Sequence, residues 1–189
     1  AEEDLKPMKI EGLPNRYVVF YGRIGEEKGI RILMQIWDNL PNIPLVVMGG
    51  GPLEEEFKQW AEEHDNVYFL GYMQHDKCLS IVKAGEFVVF PSIWYEGCSM
   101  VEIETESLGK GLVATDLGFS VEAIKNGING FKIKLGDVEG FKKCITELWS
   151  KPELIYEIGR NARCDYEQKY KSEDNYEQLM DIYKKTMEQ

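Results

Sequence analysis

Only two histidines and four cysteines occur in the 189 residues, and no two cysteines form a Cys-x-x-Cys pair. The nearest approach to a ligand cluster is His64, His75 and Cys78, which lacks the four ligands in paired spacings that structural zinc requires, so no metal site is expected. Cys78, Cys98, Cys144 and Cys164 are scattered through a chain large enough to fold without staples, which points to reduced thiols and a cytoplasmic setting. No apolar run approaches the ~20 residues of a membrane span. The start, Ala1-Glu2-Glu3-Asp4, is acidic where a signal peptide is basic and then apolar. Positive charge is scarce as well: 22 Lys+Arg stand against 33 Asp+Glu, a net charge of -11. Such a field repels nucleic acid and anionic lipid, so any anion must be held by a local device.

Hydrophobic residues at 43% and charged residues at 29% suit one folded domain with a substantial core. From Tyr17 to about Lys134, short apolar runs alternate with segments of helical spacing, the pattern of repeated βα units. Strands are expected at 17–21, 45–48, 67–70, 87–90, 112–114 and 130–133, with helices at 28–40, 53–63, 76–84, 100–108 and 120–125. The runs Val18-Val19-Phe20, Leu45-Val46-Val47 and Val88-Val89-Phe90 read as strands buried on both faces, as a parallel sheet covered by helices requires. Three further helices are expected at 138–149, 152–169 and 172–187, with Pro152 in a first turn and Ser172 as a cap. Tyr176, Leu179, Met180 and Tyr183 share one stripe of the last helix, and the simplest expectation is a face packed on the domain, with a docking face for an absent neighbour as the alternative.

In an open parallel sheet, ligands bind beyond the carboxyl ends of the strands, so the segments that follow each strand carry the functional reading. After the first strand, Arg23 and Lys28 flank a glycine-loosened turn at a helix start. A guanidinium fork, an ammonium and free helix N–H groups suit a diphosphate, although pairing of these cations with Glu26 and Glu27 is the competing reading. The second strand ends in Gly49-Gly50-Gly51-Pro52, which either lets backbone approach a ligand or makes a tight turn. The third runs into Gly71-Tyr72-Met73, an edge consistent with a base site or with plain packing. The Gly-x-Gly-x-x-Gly fingerprint of dinucleotide binding does not follow the first strand, which argues against a nicotinamide-dependent dehydrogenase. A signalling receiver domain would need acids where Arg23 and Gly71 stand.

The most informative stretch runs from Pro91 to Lys110. At ~100° per residue, Met100, Ile103, Ser107 and Leu108 form one helical stripe that includes Glu104, while Glu102 and Glu106 fall on the other side and are expected to be solvated. An inward carboxylate needs partners, either a structural donor such as Lys110 or a ligand rich in hydroxyls. Seven residues separate Glu96 from Glu104, and between them Cys98, Ser99 and Met100 offer unpaired N–H groups at the helix start. A nucleotide sugar, with a hydroxyl-rich unit at each end and phosphate between, matches that layout.

The ordered set Gly22-Arg23, Lys28-Gly29, Gly49-Gly50-Gly51-Pro52, Phe69-Leu70-Gly71, Pro91-Ser92, Glu96-Gly97 with Glu104, Gly109-Lys110, Val113-Ala114-Thr115 and Asn129-Gly130 resembles the C-terminal, donor-binding domain of the family-4 (group 1) retaining glycosyltransferases of GT-B fold. The resemblance covers essentially the whole chain. It implies an α/β fold: a Rossmann-like open parallel sheet of about six strands, helices on both faces, and extra C-terminal helices from about residue 137. Residues 1–16 are then an interdomain linker remnant and 17–189 the nucleotide-sugar-binding domain.

By the same resemblance, Arg23 and Lys28 hold the donor diphosphate and stabilise the departing nucleotide, and Glu96 hydrogen-bonds the transferred sugar; these three are the candidate catalytic residues. Gly22, Gly50, Tyr72, Met73, Cys98, Ser99, Met100 and Glu104 are the candidate donor-binding residues, with Glu104 accepting the ribose hydroxyls and Tyr72 and Met73 beside the base. No metal or other cofactor is implied, in keeping with the lack of an Asp-x-Asp motif; the donor is a nucleoside-diphosphate sugar of the UDP or GDP type. Cys98 and Ser99 stand where Phe and Gly or Pro are common in the family, Gly111 where Pro often follows Gly-Lys, and Thr105-Glu106 replaces a small apolar pair.

Such enzymes take the acceptor site and a catalytic His from an N-terminal half that this sequence does not contain. The implied partners are therefore the nucleotide sugar, that acceptor-binding domain, and an acceptor glycan or lipid-linked sugar. The expected activity is hexosyl transfer by the full-length enzyme, cytoplasmic or peripheral to a membrane, with little turnover by this half alone. A non-catalytic nucleotide-sugar-binding subunit is the alternative. His64 and His75 match no catalytic motif and read as ordinary surface residues.

Overall fold

The computed structural model describes residues 5–187. The apolar runs become six short parallel strands: β1 (Val18–Tyr21), β2 (Leu45–Met48), β3 (Val67–Phe69), β4 (Phe87–Phe90), β5 (Gly111–Thr115) and β6 (Gly130–Ile133). Each bound lies within one residue of expectation, because Gly, Pro or a charge interrupts every apolar run. The strands line up as β3-β2-β1-β4-β5-β6. β1 pairs in register with β2, Val18 opposite Leu45 and Tyr21 opposite Met48, and meets β4 at Val19 and Val88. This is a doubly wound α/β sheet, and the chain reverses its direction of travel between β1 and β4, where such sheets open a ligand crevice.

Alternation along the strands splits the core in two. Val18 and Phe20 face one side, with α1 (Ile30–Trp37), α2 (Glu54–Ala61) and α6 (Val138–Trp149) packed there through residues such as Leu33, Trp37, Phe57 and Phe141. Ile155 and Ile158 of α7 (Pro152–Lys169) complete that cluster. Tyr17, Val19 and Tyr21 face the other side, covered by Leu79, Ile81 and Val82 of α3 (His75–Ala84), and by Val101 of α4 (Met100–Ser107) with Leu108 just beyond it. Leu5, Ile10 and Leu13 also pack on this second face. Each fully buried large apolar side chain contributes ~1.5–3 kcal/mol, so the two faces together hold the three layers.

α1 begins later than the spacing predicts. Residues Glu26–Lys28 form a 3-10 turn, and Gly29, at φ +72°, separates it from the α-helix. A Cβ on Gly29 would lie 1.8 Å from the Pro91 carbonyl oxygen, so only glycine fits. After the short α5 (Ser120–Ala123), α6 and α7 follow the expected bounds, as does α8 (Ser172–Met187). The expected cap at Ser172 lies outside the described side chains.

The expected packing of α8 is overturned. Of the expected stripe, Tyr176, Leu179 and Tyr183 are 63%, 43% and 53% exposed and Met180 is half-buried, and Ile182 beside them is 58% exposed. The inward residues of α7, among them Ile155, Ile158 and Ala162, already close that part of the core before α8 begins. Among the described residues, no helix is long and apolar enough to cross a membrane.

Candidate functional site

Main-chain hydrogen bonds stitch the loops at the carboxyl ends of the strands into one rim. Gly22 N–H donates to Met48 O at 3.0 Å, Ile24 N–H to Gly50 O at 3.0 Å, and Gly49 N–H to Gly71 O at 2.9 Å. The loop after β4 joins them, with Ile93 N–H and Ser92 Oγ both donating to Glu27 O at 3.0 Å. Gly49 sits at φ +142°, and a Cβ there would lie 1.8 Å from Gly22 O. Close backbone packing between the first two loops therefore requires this glycine, whether or not a ligand binds.

A cavity of about 420 Å³ opens on this rim. Six of the eleven residues singled out in the sequence line it: Gly22, Arg23, Gly50, Tyr72, Met73 and Glu104. Arg23 stands at its mouth, with Nε 3.5 Å from Glu27 Oε1 and a side chain 66% exposed. Tyr72 is also largely exposed. Lys28 and Glu96 are not lining residues; they form an ion pair with each other, and the Lys28 ammonium lies 5.3 Å from the centroid of the Phe90 ring. Glu26 is taken by Arg31.

Cys98 and Met100 are exposed beside this pair, whereas Ser99 is buried. Its Oγ caps α4 by accepting from Glu102 N–H at 3.4 Å. The N–H groups of Cys98, Ser99 and Met100 make no hydrogen bond among the described residues, so they remain available to an oxygen-bearing ligand.

The other end of the cavity is acidic. Glu104 is 8% exposed, and His75 Nε2 lies 3.4 Å from its Oε1. The Tyr21 hydroxyl reaches Val101 O at 2.8 Å and Thr105 Oγ1 at 3.1 Å, tying the end of β1 to α4. Burial, and then the Glu104 charge, hold the Tyr21 phenol well above its ordinary value. The same two causes push the Cys78 thiol up to about 12. Lys110, a candidate structural partner for Glu104, instead donates to Gly85 O at 2.6 Å, toward the opposite end of the sheet.

Glu102 and Glu106 are not solvated, as the helical stripe led one to expect. They are 1% and 4% exposed, because the face of α4 turned away from the sheet is covered by α5 and α7. Glu102 Oε1 accepts from Ser120 Oγ at 2.9 Å, and Glu106 Oε1 from Asn129 Nδ2 at 3.4 Å. The Oε2 atom of each has no hydrogen-bond partner among the described residues. Burial raises Glu102 to about 7 and Glu106 to about 8, the Asp165 charge adding to the second.

His75 is the residue that sequence reasoning missed. Its signal was position alone, at the start of α3 just after Tyr72 and Met73. His64, by contrast, is a packing residue: it stacks on Trp60 with centroids 4.2 Å apart and bonds Trp60 O and Asp38. Among the described residues, no three His, Cys, Asp or Glu side chains converge as a metal ion needs.

Known proteins share this architecture. The O-antigen chain mannosyltransferase C of Escherichia coli is 24% identical over 94% of this chain and 49% of its own length. A crystal structure of Anabaena HepE in complex with UDP-glucose superposes with a TM-score of 0.81 at 22% identity, covering 90% of this chain and 49% of that one. The crystallised C-terminal domain of a group 1 family protein, LpcC of Francisella tularensis, gives 0.76 at 20% identity and is itself covered over 98% of its length. The chain thus spans about half the length of the curated relatives it matches and has the fold of one GT-B half. The profile of the glycosyl transferases group 1 matches residues 3–165, and with this sheet beneath the match, the chain belongs to that family.

Proposed function

We propose that this chain is the donor-binding half of a retaining glycosyltransferase that moves a hexosyl unit from a nucleoside-diphosphate sugar to a glycan or lipid-linked acceptor. The observation that carries the reading is the cavity at the point where the sheet reverses direction, with Arg23 at its mouth and Glu104 at its floor. The base lies by Tyr72 and Met73, the ribose hydroxyls donate to Glu104, and the diphosphate passes Gly22 and Gly50 to reach Arg23. Lys28 then divides its hydrogen bonds between phosphate and Glu96, which brings that carboxylate to the hydroxyls of the transferred sugar. The sugar–phosphate bond breaks as the bond to the acceptor oxygen forms, and the proton of the acceptor hydroxyl passes to the leaving phosphate oxygen. The electron pair stays on the nucleotide, where the two cations stabilise the growing charge.

The UDP-glucose held by HepE supports a uridine donor, and the mannosyltransferase name of the Escherichia coli relative supports hexosyl transfer into a polysaccharide. The acceptor site and further catalytic groups come from an N-terminal half, for which residues 1–16 are the link and the exposed face of α8 is a docking surface. This half alone binds donor but turns over little.

Thermal unfolding with UDP, GDP and UDP-glucose tests the reading. Nucleotide at about 100 times its dissociation constant adds ~2.7 kcal/mol of stability. Arg23→Ala and Glu104→Ala remove that gain, read against each variant's own unfolding without nucleotide. Equal shifts in the parent and both variants would contradict the assignment.

A further inference from the structure

A second cavity, of about 350 Å³, opens at the amino ends of β4 and β5, opposite the donor rim, between Gly109-Lys110 and the start of α7. Lys110, Arg160 and Arg163 all line it, in a chain whose acids outnumber its bases by 33 to 22. The one carboxylate in the lining, Glu86, is already engaged, its Oε1 accepting from Arg16 Nε at 2.7 Å.

Each cation has a distinct state. Lys110 is half-buried; burial lowers its pKa, Glu86 opposes that, and Lys83 adds to it. Among the described residues its ammonium gives one hydrogen bond, to Gly85 O, and an ammonium has three to give. Arg163 is fixed in place: its guanidinium bonds Ser107 O and Glu167, and lies 5.4 Å from the centroid of the Tyr166 ring. Arg160 is exposed, with no ion pair among the described residues. The first turn of α7 completes the wall. Pro152 occupies its start and no side chain caps it, so the Glu153 and Leu154 N–H groups add positive potential beside the exposed Glu153 carboxylate, which does not line the cavity. Beside the cations, Tyr156 offers a ring that is 74% exposed.

We propose that this cavity is a phosphate-binding site, separate from the donor cleft, in which Lys110 and Arg160 grip the phosphate group of a small ligand or a lipid headgroup and the Tyr156 ring covers the organic part. Charge selects the phosphate: a fixed guanidinium, a mobile one and a desolvated ammonium surround a space with one neutralised acid. Two cations and a helix start supply the local device that an anion needs against the net field of the molecule. The inference is independent of the donor reading, since the two cavities share no lining residue.

The test titrates the isotope-labelled chain with inorganic phosphate and glycerol 3-phosphate while amide resonances are followed, and measures co-sedimentation with phosphatidylcholine vesicles with and without 30% phosphatidylglycerol. The expected result is saturable movement confined to residues 109–111 and 152–160, or sedimentation with the anionic vesicles alone. Arg160→Glu, at an exposed position, weakens either response at least tenfold and leaves the UDP-induced thermal shift as it was; Lys110→Met acts likewise. Response to the soluble probes assigns a free phosphorylated ligand, and response to vesicles alone assigns a headgroup. No saturable response to any probe, or a response that Arg160→Glu leaves unchanged, overturns the proposal.

Discussion

Helix α4 carries three glutamates and all three are buried, whereas helix α8 carries two tyrosines, a leucine and an isoleucine that stand in solvent. The inversion shows what decides burial here. α4 lies against the sheet with α5 and α7 over the side that carries Glu102 and Glu106, so these two carboxyls, though charged in the unfolded chain at neutral pH, are held by Ser120 and Asn129, while Glu104 meets His75 at the cavity. α8 begins after α7 has closed the core, so most of its apolar face has nothing among the described residues to cover it. On the proposed reading, the exposed stripe is the surface that meets the N-terminal half, and Glu104 is the buried acid kept at the cavity for its ligand.

The largest effect that tests this contrast is the response to pH. A carboxyl whose pKa is raised by folding holds its proton in the native state where the unfolded chain has released it. The stability from Glu102 and Glu106 is therefore complete below 4.5 and is lost as pH rises through about 7 and about 8. At roughly 1.4 kcal/mol per unit, the two together amount to several kcal/mol. Denaturant unfolding at pH 5.5, 7 and 9 should show the parent weakening with pH and Glu106→Gln weakening less. A variant as steep as the parent breaks the claim that Glu106 is a buried acid.

Removal of the α4 cap comes next. Ser99→Ala should cost ~1 kcal/mol in a urea titration, because the buried Glu102 N–H loses its acceptor. A cost near zero would mean that this end is already solvated. The smallest effect belongs to α8: Ile182→Ser or Tyr183→Ser should change the stability of this chain by less than ~0.5 kcal/mol. In a full-length enzyme the same substitutions should weaken association of the halves. A loss of ~2 kcal/mol in the isolated chain would show that α8 packs on it after all.

The same contrast explains what the sequence could reveal. Strands were legible because Val18-Val19-Phe20 and its counterparts are apolar on both faces and end at glycine or proline. Helix starts were legible where a breaker acts locally, and α1 was misplaced because Gly29 ends the 3-10 turn in a left-handed conformation, at a position where the carbonyl of distant Pro91 leaves no room for a Cβ. Periodicity told which glutamates of α4 share a side but not that α7, 50 residues later, covers that side. The cavity gathers Gly22, Arg23, Gly50, Tyr72, Met73 and Glu104 from four separate loops and helices. The pairing of Lys28 with Glu96 and of His75 with Glu104 depends on how those loops meet in space, which no local pattern encodes.

The central claim is that a sugar-bearing diphosphate lies across this rim between the cations after β1 and the acid of α4. A crystal structure of the chain with UDP or GDP, whichever gives the larger thermal shift, tests it most directly. The account predicts phosphate oxygens within hydrogen-bonding distance of Arg23 and Lys28, with both ribose hydroxyls on the Glu104 carboxylate. A nucleotide bound elsewhere, or bound here with Glu104 still facing His75 and no hydroxyl, would contradict it.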